Sequence, residues 1–455
     1  MTGGLGWKIE KKKTDYSSLL HPLSDDEQTF LSFFSDKFSD FSKTYDATNS
    51  DLAKKAIIEL LPQILAQEGI DSDSEQLEYL SAAAISHLVG FAPLDHMLKD
   101  SQIEEIAIIG INKPVMVFVR KKGWQKTDAS ITSLDYLIHL INKMARPLGR
   151  RITYQSARIN ALMSDGSRLH ATIPPLSDGE ITIRLHSSKS WSIKDILDSK
   201  STNAQALSFL WLVFQSDSSV LIAGNTACGK TTLLNSLFSF VPLNERIVQI
   251  EETPEIKLSH AHYVKLVSSE DIGVPMPELV RDSLRMRPDR VIVGEVRSAS
   301  EAQAFCETLL SGQARSSYAT FHAQSAGEAL LRLENLGVPK DNLKSLDFIV
   351  IQRRLAHYNP RTLKQTEIRK MTGIYIVEKQ SQKTIPIFES DSKTGELAST
   401  AHLDFALVFI SSRLGISQKE IRDLYSLREK FLSSLKPHES ERCLEQIQKF
   451  SYGEK

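Results

Sequence analysis

An α/β fold built on a parallel sheet, with a separate α+β domain ahead of it and helical stretches at either end, is what this sequence predicts. Three observations carry that prediction. Between residues 205 and 372 short apolar runs alternate with helical segments, the pattern of strands joined by crossover helices. From 86 to 188 the chain offers paired β-rich runs around turn residues instead. Within the later region, Gly224 to Thr231 form a Gly-rich loop between the apolar run Ser219 to Ala223 and the helix-forming stretch Thr232 to Phe238.

Taken in chain order, residues 1–85 are rich in Asp, Ser and Phe, and Phe30, Phe33, Phe34, Phe38 and Phe41 fall at helical spacing. That predicts a polar tail followed by amphipathic helices. In the 86–188 domain, Ile106 to Ile109 and Val115 to Val119 flank the Asn112-Lys-Pro114 turn as a hairpin, and Leu134 to Ala145 is helical. Arg158 to Leu162 and Arg168 to Ile173 pair across Asp165-Gly166, and Glu180 to Leu185 is the last strand. Residues 189–204 have little apolar periodicity and form the expected linker, with a hinge joining two domains. The 205–372 domain takes its strands from Val220 to Ala223, Arg246 to Ile250, Arg290 to Val293 and Tyr318 to Phe321. Beyond 373, up to 455, a hairpin gives way to helices over roughly 401–450.

A chain of 455 residues exceeds one ordinary core and fits two or three domains. Its 55 basic and 56 acidic residues leave a net charge of -1, which argues against bulk nucleic-acid binding. The runs Lys11 to Lys13 and Arg120 to Lys122 read as solvated surface. Cys228, Cys306 and Cys443 are far apart and form no Cys-x-x-Cys, so neither a disulfide framework nor a zinc site is encoded, and a reducing cytoplasm fits. Met1 to Asp15 lack the apolar core of a secretory signal, and no window approaches the roughly 18 apolar residues of a membrane span. Any work at a membrane is expected to go through a partner.

The chemistry begins with the loop Gly224-Asn225-Thr226-Ala227-Cys228-Gly229-Lys230-Thr231, a Walker A sequence between strand and helix. Gly224 and Gly229 let the backbone curl, so that its N–H groups and those opening the helix at Thr231 and Thr232 surround phosphates. Lys230 reaches the β and γ phosphates and Thr231 is placed to hold Mg²⁺, so ATP or GTP is the expected ligand. Hydrolysis also needs a carboxylate near the metal and the attacking water. The run Val291-Ile-Val293 ends in Gly294 and Glu295 with no Asp at the usual place, so Glu295 takes the acidic role, at Mg²⁺ directly or through water. Glu251, Glu252 and Glu255 follow another strand, and Thr320 and His322 a third; strand ends of a parallel sheet collect at one ligand edge. Cys228 sits at a helix N-terminus, where the dipole favours a thiolate; the favoured reading is a small residue that fits the loop, and the alternative is a reactive thiol that bound ATP protects.

These segments carry a resemblance. The Walker A loop, Ile250-Glu-Glu-Thr-Pro-Glu255, the strand from Arg287-Pro-Asp289 to Gly294-Glu-Val-Arg297, and Thr320-Phe-His-Ala323 are similar to the secretion ATPase superfamily of type II and type IV secretion, type IV pilus and archaellum motors. Gly90-Phe-Ala-Pro-Leu94, Ile103-Glu-Glu-Ile106, Asp165-Gly-Ser-Arg168 and Ile183-Arg184 resemble its N-terminal domain, and coverage runs from about 85 to 375. Gly312 to Ala323 resembles the archaeal branch most.

The resemblance implies a PAS-like α+β N-terminal domain before a RecA-like P-loop ATPase domain, with ATP and Mg²⁺ as cofactors. It makes Glu295 the Walker B glutamate, Glu251, Glu252 and Glu255 the acidic box, and His322 the γ-phosphate sensor. Arg168 and Arg184 become the cations supplied to the nucleotide by the N-terminal domain. It further implies a cytoplasmic homo-hexamer, peripheral to the inner face of the membrane, that drives a polytopic platform protein and, indirectly, pilin-like or secreted subunits. Direct nucleic-acid contact is not expected. A conjugative type IV secretion motor for DNA transfer shares these motifs, and a non-motor nucleotide-dependent assembly switch is the alternative from another class. Three departures stand out: Gln313 where a His is frequent, Glu252 where an Asp is frequent, and Cys228 where a Ser is common.

Overall fold

The computed structural model describes residues 30, 33–35, 37–38, 50–70, 73–120, 122–185, 190–269, 273–359, 363–381, 383–391, 395–436 and 440–453. They belong to two compact units that divide between Ser187 and Ser188.

In the first unit, helices Ser50–Gln67 and Ser74–Leu88 bury Ile57, Leu61 and Leu65 against Leu80, Ala83 and Ala84. Phe34 joins that cluster and stacks between Phe30 and Phe38, as the helical spacing of these rings predicts. The expected polar tail over 1–29 and Phe41 lie outside the described residues.

Six antiparallel strands follow: β1 (Ile103–Ile108), β2 (Pro114–Val119), β3 (Gly123–Ser130), β4 (Arg158–Leu162), β5 (Arg168–Thr172) and β6 (Glu180–Arg184), in the order β3-β2-β1-β6-β5-β4. Val115, Val117 and Val119 alternate inward on β2, and Ile181 and Ile183 do so on β6. Helix Leu134–Ala145 contributes Leu137, Leu140, Ile141 and Met144 to the same core. Strand β3 was not anticipated, because Gly123 to Ser130 is mostly polar and buries only two residues of eight.

The second unit holds nine strands. They are β7 (Val220–Gly224), β8 (Ile247–Glu251), β9 (Tyr263–Val267), β10 (Arg290–Val296), β11 (Ser316–Phe321), β12 (Phe348–Asn359), β13 (Lys364–Val377), β14 (Thr384–Ser390) and β15 (Leu397–Ser399). Their order is β15-β14-β13-β12-β7-β11-β10-β8-β9. The run from β12 to β9 is parallel, and β13 to β15 extend it antiparallel.

Continuous apolar runs are what a sheet covered on both faces demands. In β7, Val220 and Ile222 enter one core while Leu221 and Ala223 enter the other. The first core is closed by helix Ala204–Gln215, whose Trp211 stacks on Phe240 at 4.7 Å and meets Phe431 and Phe450 of later helices. The second is closed by helices Met276–Ser283, Ala299–Leu310 and Ala326–Asn335.

Two boundaries read differently in space than in sequence. Most of the expected 189–204 linker is built into the second unit: Ile193–Asp198 is a helix with a Ser192/Asp195 capping box, and Ile193 and Ile196 are buried in the first core. One helical turn has too few apolar positions to register as periodic. Residues 373–455 likewise complete the same unit, supplying β14, β15 and helices Leu403–Leu414, Gln418–Ser434 and Ser440–Tyr452.

Between β8 and β9, His260 is buried edge-on to the Phe238 ring. Burial pushes its pKa down to about 4; the Val241 backbone opposes this and Arg290 adds to it. The unfolded chain takes up this proton near 6.5, so the stabilisation is present above that pH and is lost as pH falls toward 4. The loss is about 3 kcal/mol at most. Buried Glu251 titrates with the opposite sign, its pKa raised to about 7. The comparison that isolates His260 is therefore urea unfolding of the native chain against His260→Phe, whose stability gap should swing in favour of the variant between pH 6.5 and 4.

Candidate nucleotide site

Strand β7 ends at Gly224, and the loop from there to helix Lys230–Leu237 is held by β12 as well as by its own turns. Gly224 lies opposite Gln352 in the parallel register, with no room for a side chain: a Cβ would fall 1.9 Å from the Gln352 carbonyl oxygen. Asn225 forms a two-way clasp with Arg354, its Nδ2 donating to the Arg354 carbonyl at 2.9 Å and its Oδ1 accepting the Arg354 N–H at 2.8 Å. Gln352, only 3% exposed, donates to the Cys228 carbonyl at 3.2 Å and to Ser201 Oγ at 3.0 Å. Ala227 and Gly229 take φ of 58° and 94°, the left-handed turns that curl the loop. Thr226 is exposed, while Thr231 and Thr232 open the helix half-buried. Neither Gln352 nor the Asn225 clasp is visible from the loop sequence, since the partner strand lies more than a hundred residues away.

At Cys228 the structure favours the small-residue reading over the reactive thiol. The residue is 1% exposed, and burial raises its pKa against the lowering influence of Lys230, the local backbone N–H groups and Arg369. Desolvation of a thiolate outweighs the helix dipole here, so the side chain is a buried apolar filler of the loop and not a reactive nucleophile.

Lys230 is 7% exposed; its Nζ donates to the carbonyls of Gly224 at 3.4 Å and Asn225 at 3.5 Å and stands 3.6 Å from Glu295 Oε1. Strand β11 lies between β7 and β10, so His322, one residue beyond β11, meets Glu295 near the end of β10, with its Nε2 2.8 Å from Oε1. Arg297 takes the other oxygen, with Nε and Nη2 at 2.8 and 2.6 Å from Oε2, and its Nη1 pairs with Glu252. Burial pushes the Glu295 pKa up, but Arg297, Lys230 and His322 more than offset it and hold the carboxyl below its ordinary value. For His322, burial and the Lys230 charge lower the pKa against the pull of Glu295, which favours the neutral imidazole.

The acidic box divides. Glu252 is exposed and reaches the site through Arg297. Glu251 is only 3% exposed, with its oxygens accepting from the N–H groups of Glu255 and Ile256 at 3.1–3.2 Å and from Gln249. Expected as a catalytic acid, it serves as the anchor of the loop after β8, because its lone pairs are already occupied by backbone donors. Glu255 contributes its N–H to that anchor and is half-buried. Arg168 and Arg184 belong to the first unit, where they face each other across β5 and β6.

The donors fit a nucleotide and its metal: first-turn N–H groups and Lys230 for phosphate oxygens, and the Thr231 hydroxyl with the ionised Glu295 for Mg²⁺. A parallel sheet covered on both faces, a Walker A loop at its strand ends and one carboxylate gathering lysine, histidine and arginine are the arrangement of a P-loop nucleotide-binding site. The chain belongs to the Type II/IV secretion system protein family, whose model matches residues 129–390.

Relatives agree with this. The uncharacterized protein MJ0781 of Methanocaldococcus jannaschii is 35% identical over 217 residues, 45% of this chain and 30% of that protein. The uncharacterized protein MJ1287 of the same organism is 33% identical over 252 residues, 53% of this chain and 90% of its own length. Type IV secretion system protein VirB11 of Bartonella quintana is 29% identical over 280 residues, 52% of this chain and 77% of VirB11. The chain thus spans less than a third of the first of these relatives.

Proposed function

We propose that this chain hydrolyses ATP to drive secretion or the assembly of pilus-like filaments, working as a homo-hexamer on the cytoplasmic face of a membrane and pushing on a polytopic platform protein. The observation that carries the reading is the convergence of Lys230, His322 and Arg297 on Glu295 beside the phosphate loop. In the proposed reaction Lys230 exchanges its loop carbonyls for the β and γ phosphates. Glu295, kept ionised chiefly by Arg297, orients a water and takes its proton as the bond to the γ phosphorus forms. His322, whose neutral ring carries a single N–H, turns it from Glu295 to an oxygen of that phosphate, and Thr231 with Glu295 would hold Mg²⁺, which would neutralise phosphate charge.

Family membership and the VirB11 relative support the secretion setting. In this reading the second unit is the RecA-like domain, the first carries the PAS-like domain, and Arg168 and Arg184 approach the nucleotide from the first unit of one copy or another. Among the described residues no helix is long and apolar enough to cross a membrane, which is in keeping with force passing through a membrane partner. Magnesium-dependent phosphate release by the purified chain, lost by at least about a hundredfold in Lys230→Ala, is the expected result. Native protein that binds ATP and releases no phosphate, with or without a membrane partner, would leave the assembly-switch reading instead.

A further inference from the structure

β12 and β13 run on together past the point where β7 stops. Gln352 is the last β12 residue in register with β7, and from Arg353 to Asn359 the strand pairs with β13 alone, as far as Asn359 opposite Lys364. The result is a two-stranded arm rooted at the phosphate loop.

Alternate residues of a strand share a face, so Arg354 follows Gln352 about 6–7 Å further along the arm. Across the ladder Arg369 follows Met371 in the same way, and Arg354 and Arg369 are direct register partners. The direction of that face is fixed by its inner pair: Gln352 bonds the loop at Cys228, and Met371 accepts from Thr202 at 3.5 Å. Both arginines therefore stand on the loop side of the arm, one step beyond Gln352 and Met371.

Glu367 forms a two-pronged pair with Arg354, Nε to Oε2 at 2.9 Å, while the Arg354 backbone is held by Asn225. Arg369 is exposed on the other strand, and its charge is felt at Cys228 inside the loop.

We propose that Arg369 is a nucleotide-binding residue whose guanidinium engages the phosphates seated on the Gly224–Thr231 loop, with the Arg354–Glu367 pair and the Asn225 clasp fixing the arm at the right height. This rests on the reading of that loop as a nucleotide site. A planar guanidinium suits a polyphosphate, which offers it two oxygens at once.

The test is equilibrium binding of a fluorescent ATP analogue to the full chain, with ATP, ADP and inorganic tripolyphosphate as competitors. Arg369→Ala and the stem-preserving Arg369→Gln should weaken ATP and tripolyphosphate alike by about tenfold to a hundredfold, with an unchanged thermal midpoint. Arg369→Lys should fall between them and the native chain. Should the alanine variant fold poorly, the glutamine variant gives the same readout. Affinities within twofold of native in Arg369→Gln, or a loss for ATP with none for tripolyphosphate, overturn the proposal. Native protein that binds no nucleotide, like Lys230→Ala, would instead overturn the nucleotide reading itself.

Discussion

Glu295→Gln is expected to bind ATP at least as tightly as the native chain and to lose turnover by roughly 10²–10⁴-fold. The amide is nearly isosteric, so the end of β10 keeps its shape, but it cannot take a proton from water. Affinity survives because the phosphate contacts are made by other groups and the amide oxygen can still face the metal. Lys230 keeps the carbonyls of Gly224 and Asn225, and Arg297 keeps Glu252. Removing a carboxylate 3.6 Å from Lys230 also frees that ammonium for phosphate, which makes binding easier. Single-turnover phosphate release and an independently measured Kd separate the two effects. A variant that turns over at the native rate would remove Glu295 from the chemistry, and one that loses affinity in parallel would make it a structural support of the loop.

The second large effect is Gly224→Ala, which should destabilise the second unit by about 3 kcal/mol or more, at the upper end of overpacking costs. The added Cβ would fall 1.9 Å from the Gln352 oxygen and 2.6 Å from Cys228 Sγ. The first obstacle is backbone and cannot rotate away. Relief means prying β7 from β12 where Asn225 and Gln352 tie them, so nucleotide binding should fail together with stability. Gly229→Ala is the informative contrast. Nothing lies within 4 Å of its added Cβ, so only the cost of φ at 94° remains, of order 1–3 kcal/mol. Urea midpoints of the two variants, measured side by side, check the order; equal loss would mean that β12 yields where the geometry says it is fixed.

How much of this was legible beforehand depends on how far apart the cooperating residues lie in the chain. The phosphate loop, Glu295 and His322 announce themselves because each follows its own apolar strand, and the helix Leu134–Ala145 and strand β4 were bounded correctly by periodicity and turns. Glu251 and Glu252 are adjacent carboxylates with the same local pattern, so their opposite fates could not be read: one turns into the loop after β8, the other toward Arg297. Arg297 is two residues from Glu295 and within its reach, but the pairing of β10 beside β8 is what brings it to Glu252 as well. Gln352, Arg354 and Arg369 carry no motif at all. Their placement depends on β12 lying beside β7, a long-range pairing to which no local spacing corresponds.

The strand between β7 and β10 has a mechanical meaning. Two inter-strand steps, about 10 Å in total, separate the line of the phosphate loop from that of Glu295. Neither line can slide toward the other without tearing the ladder of β11, which is hydrogen-bonded on both sides and buried along its whole length. In the proposed reaction the sheet serves as a gauge that sets the gap for a terminal phosphate and its water. Any stroke in the proposed cycle is expected in parts hung on that gauge, such as the loop after β8 or the arm beyond Gln352, and labels placed on β11 should report less motion than labels on either.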